Sequence, residues 1–492
     1  MKKKGRLVDM KRLIVIVFII FGAFLTLCLY RTYAYDTSVV EETPSTTDLE
    51  YTFKIGNSSI KQITVDSGET RYYDIVLGNP NNAKISYSVY YEMVSPSTKP
   101  DNFSIEYTSK STGESTGKVD KEGNITLNLV VTNTSSSTVT VKVGTVAGYV
   151  KGGELTLNSG QVIIPNAPVN AVELITKLND NTTGDSGSGV YKIEHSAIPA
   201  SSSATGSEIP AVTDYRYYGA SPNNYICLDM EGQSTCPDKH LYRIIGSIYE
   251  EKENTNRIKL IKATRLTDGT TKGFSWDYTS SGSYSNIWAT ITSGNHSNSL
   301  TSGASLMKLL NSGAWWNGTS GSYYNNSTTA TTVNFTNYKL SDKAKSYITT
   351  SRYYLGGYES KDPLTNETYG YERGTLRYNM NRPLYWEGMV GLMYPSDYGY
   401  AAGNSCVNGT TLYNYKGGCM NKDWLDISNT DQWAMSPRSA GGSGLVLFVG
   451  SSGYVDISYS RYVRSVHPVF YLSSSASISK GDGTLNAPYI LS

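Results

Sequence analysis

In several short segments between Ile60 and Val143 apolar residues recur at every second position, and this alternation constrains the fold more than any other feature. Ile85, Tyr87, Val89 and Tyr91 alternate with Ser86, Ser88 and Tyr90; Ile125, Leu127 and Leu129 alternate with Thr126 and Asn128; Val139, Val141 and Val143 alternate with Thr140 and Lys142. A period of two puts one face of each strand on a core and the other in water. Turn clusters punctuate the segments, as at Ser67-Gly68 and Gly78-Asn79-Pro80-Asn81-Asn82. Short strands spaced in this way predict an Ig-like β-sandwich over residues 51–165. Its carboxylates, Asp74, Glu92, Asp101 and Glu106, are scattered and read as solvent-face charges. Only 17% of the chain is charged and 41 of its 492 residues are Tyr, a bias towards strands and turns that makes the whole chain mainly β, with α+β character later on. The net charge of +1 supplies no basic field for nucleic acid. The length predicts more than one domain.

The N-terminus carries a different signal. Lys2, Lys3, Lys4, Arg6, Lys11 and Arg12 precede an apolar run, Leu13–Tyr30, of a length that spans a bilayer as a helix. The basic flank places the tip inside and the rest of the chain outside. Residues 1–35 are therefore a retained signal anchor or a cleaved signal peptide, with Thr32-Tyr33-Ala34 as a loose cleavage site. The Thr32-Tyr33-Ala34-Tyr35 start resembles the export segments of camelysin-like and biofilm-matrix proteins. Residues 36–50 are polar and acidic and read as a stalk. In an exported chain the four cysteines beyond Cys28 imply two disulfides, and the local pairs Cys227/Cys236 and Cys406/Cys419 are the simplest of three connectivities. A zinc site fits poorly, because no pair has CxxC spacing or a histidine cluster beside it.

Residues 166–213 read as a flexible linker with one short amphipathic helix, Val172–Leu178, flanked by Ser/Thr/Gly-rich stretches. From residue 214 to the end the elements are mixed. Strands are expected at 224–228, 241–249, 257–265 and 389–393. Helices are expected at 300–310 and 342–349, the second capped by Ser341 or Asp342. Two apolar runs, Leu445–Val449 and Val466–Leu472, bracket a Tyr-, Ser- and Arg-rich segment and read as a closing β-hairpin with an exposed loop.

Several segments of this region carry a resemblance. They are Tyr218-Gly219-Ala220-Ser221-Pro222-Asn223-Asn224-Tyr225, Leu241-Tyr242-Arg243-Ile244-Ile245-Gly246, Tyr371-Glu372-Arg373-Gly374 and Leu392-Met393-Tyr394-Pro395-Ser396-Asp397-Tyr398-Gly399-Tyr400. Trp433 with Ser436-Pro437-Arg438, His467-Pro468-Val469-Phe470-Tyr471-Leu472 and the Gly481-Asp482-Gly483-Thr484 close complete the set. Together they resemble a family of exported proteins from gut Firmicutes built on a domain of unknown function. That family is similar in turn to the C-type-lectin-like fold of formylglycine-generating enzymes and retroelement-diversified variable proteins. The resemblance implies such a domain over residues 214–492. His467 stands where the pattern carries Arg.

No catalytic grouping is evident. His195, His240, His296 and His467 are far apart in sequence, and no Gly-x-Ser-x-Gly elbow opens a helix. His195 and His296 read as solvated and His467 as half-buried. The stretch from Asp426 to Asp431 is rich in oxygen ligands but lacks the glycine and closing Glu of an EF-hand, so neither metal nor cofactor is expected. Tyr supplies flat contact area and Ser and Gly adaptable hydrogen bonds. The candidate ligand-binding residues are therefore Arg438, Tyr454, Tyr459, Arg461, Tyr462 and Arg464, able to stack on a glycan or anchor a protein partner. The expected function is non-catalytic adhesion or ligand binding at the cell surface. The alternative is a secreted matrix protein that polymerises through its sandwich, and an extracellular enzyme ranks last.

Overall fold

The computed structural model describes residues 36–39, 52–55, 62–80, 85–109, 118–119, 121–149, 159–164, 169–179, 183–357, 362–377, 381–426, 430–439 and 444–492. The apolar run Leu13–Tyr30, Cys28 and most of the expected stalk lie outside them. Among the described residues no helix is long and apolar enough to cross a membrane. The chain divides into two compact units, with the boundary between Ala167 and Pro168.

Two antiparallel sheets build the first unit. The longest strands of one, Ile85–Ser95 and Val139–Tyr149, pair along most of their length, and Gln62–Val65 joins the second of them. The other sheet runs Thr52–Ile55, Glu69–Gly78, Asn124–Asn133, Phe103–Ser109. The alternating apolar residues close between the sheets: Val65, Ile75, Val89, Leu127, Leu129, Val131 and Val143 are fully buried in one core. The expected stalk departs from this reading at its start, because Asp36–Val39 pairs with Gly144–Ala147 as a further strand.

The second unit is organised on a nine-stranded sheet. Strand Leu241–Glu250 lies at its centre, with Val212–Tyr218 and Tyr225–Cys227 on one edge and Thr255–Lys262 on the other. The expected linker is here corrected. Helix Ala171–Lys177 packs Leu174 and Ile175 into the core, its N-terminus capped by Asn170, whose side chain accepts from the amides of Val172 and Glu173. Strand Gly189–His195 pairs residue for residue with Val212–Tyr218. The Ser/Gly-rich stretches are turns rather than tethers: Gly184 and Gly187 adopt positive φ, which only glycine takes without strain. Between them Val190 and Tyr191 supply the buried contacts that the composition conceals.

Two further expectations change. The apolar runs near the C-terminus do not pair with each other. Leu445–Val449 forms a hairpin with Val455–Tyr459, whereas Val469–Tyr471 joins the main sheet against Lys259–Ile261. Residues 389–393 form no strand; the strand is Tyr385–Gly388, and Gly391 then makes a single bridge to Val469. The helices Ser305–Asn311 and Asp342–Ser346 fall where the periodicity puts them, the second capped by the Ser341 hydroxyl.

Both local cysteine pairs are bonded, Cys227 to Cys236 and Cys406 to Cys419. They close loops with sequence separations of 9 and 13 residues. Chain-entropy reasoning assigns about 2.5–3 kcal/mol to each. The double variant Cys406→Ser/Cys419→Ser is expected to lose that amount in denaturant unfolding under non-reducing conditions, with little change in far-UV circular dichroism.

The segments that carry the family resemblance fall on this frame. The Arg243 guanidinium lies between the rings of Tyr225 and Trp424, 4.6 and 4.4 Å from their centroids, and donates to Asn224. Trp433 is buried and donates from its indole to the Phe274 carbonyl. His467 is fully enclosed, with Nδ1 held by the Lys262 carbonyl, and burial pulls its imidazole down to about 4. In the unfolded chain that ring takes a proton below about pH 6.5. Its contribution is therefore complete above pH 6.5 and is lost as pH falls towards 4, by about 3 kcal/mol. His467→Gln is expected to flatten the fall in stability across this window, measured by urea unfolding at stepped pH.

Candidate functional site

The hairpin register separates the six candidate residues. Val449 pairs with Val455 and Leu445 with Tyr459, so Tyr454 and Tyr459 stand at opposite ends of one strand, about 16 Å apart. Tyr454 is half-buried against Phe448 and Tyr413. Arg464 points inward: its guanidinium lies 3.6 Å from the Phe448 ring centroid, pairs with Asp431 and donates to the Ser458 hydroxyl at 2.9 Å. Burial pulls it down to about 10. Arg438 holds its neighbours through its backbone, donating to the Leu445 carbonyl and accepting from Arg382. Tyr454, Arg464 and Arg438 are thus not gathered with the other three in one surface. Asp431, from the oxygen-rich stretch, also accepts the Ser451 amide, and residues 427–429 lie outside the described ones.

Tyr459, Arg461 and Tyr462 do converge. Tyr459 and Tyr462 are 44% and 40% exposed, with ring centroids 6.1 Å apart. Arg461 lies over both rings, at 5.7 and 5.2 Å, and 5.4 Å from the ring of Tyr284. Tyr284 meets Tyr459 edge-on at 5.9 Å and stacks on Tyr278 at 6.5 Å. The result is a platform of three tyrosines around one guanidinium, with Tyr278 stacked behind Tyr284, which suits it to flat or hydroxyl-bearing ligands.

The platform is held in shape from beneath. Asp277 is buried, and one carboxylate oxygen accepts the amide and hydroxyl of Ser285 while the other accepts the Ser305 amide. That ties both ends of the Tyr278–Tyr284 loop to the helix Ser305–Asn311. Burial raises the Asp277 carboxyl, against the pull of these donors. Within the loop the Thr279 amide donates to the Ser283 carbonyl and the Gly282 amide to the Thr279 carbonyl. The second loop is tied to the first, since the Asp277 amide donates to the Ser460 carbonyl and the Ser275 hydroxyl to the Arg461 carbonyl. Rings held in this way lose little conformational entropy when a ligand arrives.

Beside the platform opens a cleft of about 430 Å³, within the range of small-ligand sites. Tyr278 belongs to both, and Lys308, Leu309, Tyr323 and Tyr324 line the rest. No carboxylate, histidine or cysteine lines it. Tyr278 and Tyr284 escape a reading centred on the C-terminal hairpin. Their segment, Asp277-Tyr278-Thr279-Ser280-Ser281-Gly282-Ser283-Tyr284, is rich in Tyr and Ser, as are residues 454–464, and that is the signal that finds it.

A second grouping lies in the interior. His195 is not solvated: it is buried, stacked on Tyr369, and donates from Nε2 to Asp214 at 3.0 Å. Asp214 also takes two bonds from Arg216, which bridges to Asp397, and Asp397 takes the Lys259 ammonium at 2.6 Å. Burial works against the charge on Asp397, yet Lys259 and Arg216 hold its carboxyl below the usual range. The row is set by register: Arg216, Gly246 and Lys259 face each other across three strands. A side chain at Gly246 would meet the Tyr215 carbonyl at 2.3 Å. None of these groups lines the cleft, and every carboxylate oxygen of Asp214 and Asp397 has a donor. The network therefore braces the sheet against helix Pro395–Ala401.

Among the described residues one cluster has metal-ligand spacing, Asp229, Glu231 and His240, with ligand atoms within 4.8 Å of one another. It is already occupied: the Lys239 ammonium sits 2.8 Å from Glu231, and the Ser341 hydroxyl donates to Asp229. His296 is half-buried and stacks on Tyr385 at 5.0 Å rather than standing free in solvent. Comparison of the chain with protein-family models, curated proteins and solved structures finds no match.

Proposed function

We propose that this is a non-catalytic binding protein, displayed outside the cell, whose second unit recognises a glycan or protein surface through Tyr459, Arg461, Tyr462, Tyr278 and Tyr284. The observation that carries the reading is the platform itself. Its aromatics, exposed at Tyr459 and Tyr462 and half-buried at Tyr278 and Tyr284, sit on two loops tied to each other and to the frame, beside a cleft lined by no carboxylate, histidine or cysteine. Aromatic and Arg side chains of this kind dominate binding energy when a partner excludes water from them. The two disulfides support export of the chain to an oxidising compartment. Within this proposal the Leu13–Tyr30 run anchors the chain in the membrane, and the second unit is lectin-like in the sense of the family it resembles.

The test is a glycan and extracellular-protein array probed with the full chain. Binding to a defined glycan or protein class is expected, and Tyr454→Ala, at the far end of the hairpin, leaves it intact. An array without binding to any cell-wall or host component contradicts the adhesin reading.

A further inference from the structure

A second cleft, of about 270 Å³, shares no lining residue with the first and is close in size to the smallest ligand pockets. Four cations line it, Lys239, Lys262, Arg265 and Lys272, together with Trp315 and Tyr338. Two carboxylates answer them. Asp238 lines the same cleft, and Glu231 pairs with Lys239 at 2.8 Å. Four positive charges against two negative ones leave an excess of two. Asp268, on the neighbouring turn, does not line the cleft and accepts the backbone amides of Thr270, Thr271 and Asn334.

Lys262 is the informative residue. It is 7% exposed, and among the described residues no carboxylate comes within ion-pairing distance of its ammonium. That ammonium donates at 2.6 Å to the backbone carbonyl of Asp238 and lies 5.4 Å from the Tyr242 ring centroid. One donated bond leaves two N–H groups for another acceptor. A buried cation without a carboxylate is costly, and a bound anion removes that cost. Arg265, half-buried beside it, offers the planar fork that grips carboxylate or sulfate with two bonds. The cleft is too small for a polymer and has aromatic walls.

We infer that this cleft binds the anionic group of a single acidic sugar unit, a carboxylate or a sulfate, held by Lys262 and Arg265 with Lys272 at the mouth. The site stands apart from the tyrosine platform and does not depend on it. Glucuronate and glucose 6-sulfate are titrated into the full chain and followed by thermal shift, with glucose, sodium sulfate and sodium chloride at matched ionic strength alongside. Both acidic sugars are expected to raise the melting temperature, glucose and the salts far less. Lys272→Glu, an exposed change that leaves the fold intact, is expected to weaken the response at least tenfold in ligand concentration. Lys262→Met is expected to abolish it, and Tyr459→Ala to leave it unchanged. A response no larger than that to the inorganic salts, or one that survives Lys272→Glu, overturns the inference.

Discussion

A fragment that begins at Asp214 is expected not to fold, whereas one that begins at Pro168 is expected to fold cooperatively. The shorter piece loses helix Ala171–Lys177 and strand Gly189–His195. With them go the core residues Leu174, Ile175 and Val190, and Ile209 from the connection. At about 1.5–3 kcal/mol for each such side chain, the loss is about 6–12 kcal/mol. That is comparable to the whole stability of a typical domain, roughly 5–15 kcal/mol. The cut also removes Val212 and Thr213 from strand Val212–Tyr218, exposes the edge of what remains, a template for aggregation, and takes His195 from Asp214. Near-UV circular dichroism and a urea transition on both fragments provide the check. A native-like, cooperative 214–492 fragment contradicts this account of the second unit.

Asp397→Ala is expected to cost about 3–5 kcal/mol, the usual penalty for breaking a buried ion pair from one side. Asp397 answers both Arg216 and Lys259, and all three side chains are at most 2% exposed. After the substitution Arg216 keeps Asp214, but the Lys259 ammonium is left with no carboxylate in its ion pairs. The double variant Lys259→Met/Asp397→Leu removes both charges and is expected to recover more than half of the loss. Equilibrium urea unfolding of the two variants separates the cases. A loss below about 1 kcal/mol for Asp397→Ala would mean that the network contributes little beyond packing.

These effects show what the amino-acid order discloses and what it conceals. The sandwich is legible because one face of each strand meets water, so that Ile125, Leu127 and Leu129 stand out against Thr126 and Asn128. The disulfides are legible because few cysteines leave few pairings. The strand Thr255–Lys262 is harder to read. Arg257 and Lys259 suggest a solvated face, yet both are buried: Glu250 on the neighbouring strand answers Arg257, and helix Pro395–Ala401 supplies the counter-charge of Lys259. Its partner, Asp397, lies 138 residues away. Residues 166–213 mislead for the opposite reason: their Ser and Gly content marks turns, and only a few apolar residues between those turns carry the packing. The site is half legible. Tyr459, Arg461 and Tyr462 are found from composition, whereas Arg464 has the same composition but turns inward onto Phe448 and Asp431. Tyr278 and Tyr284 join the platform only through tertiary contact. The resemblance segments are legible as sequence; within them Arg243, Trp433 and His467 brace the frame, and the tyrosines of the proposed platform stand on loops outside them.

The central claim is that the tyrosine platform is the recognition surface. Its most direct test is an equilibrium titration of the array-identified ligand against the full chain and against the Tyr459→Ala/Arg461→Ala/Tyr462→Ala variant, with Tyr454→Ala as a control. A loss of about thirtyfold or more in affinity is expected for the triple variant, as for a substitution of about 2 kcal/mol at an interface centre. An unchanged Kd is expected for the control, and the same unfolding free energy from urea titration for all three proteins within about 1 kcal/mol. Binding by the triple variant at the wild-type Kd would contradict the central claim and place recognition elsewhere on the protein.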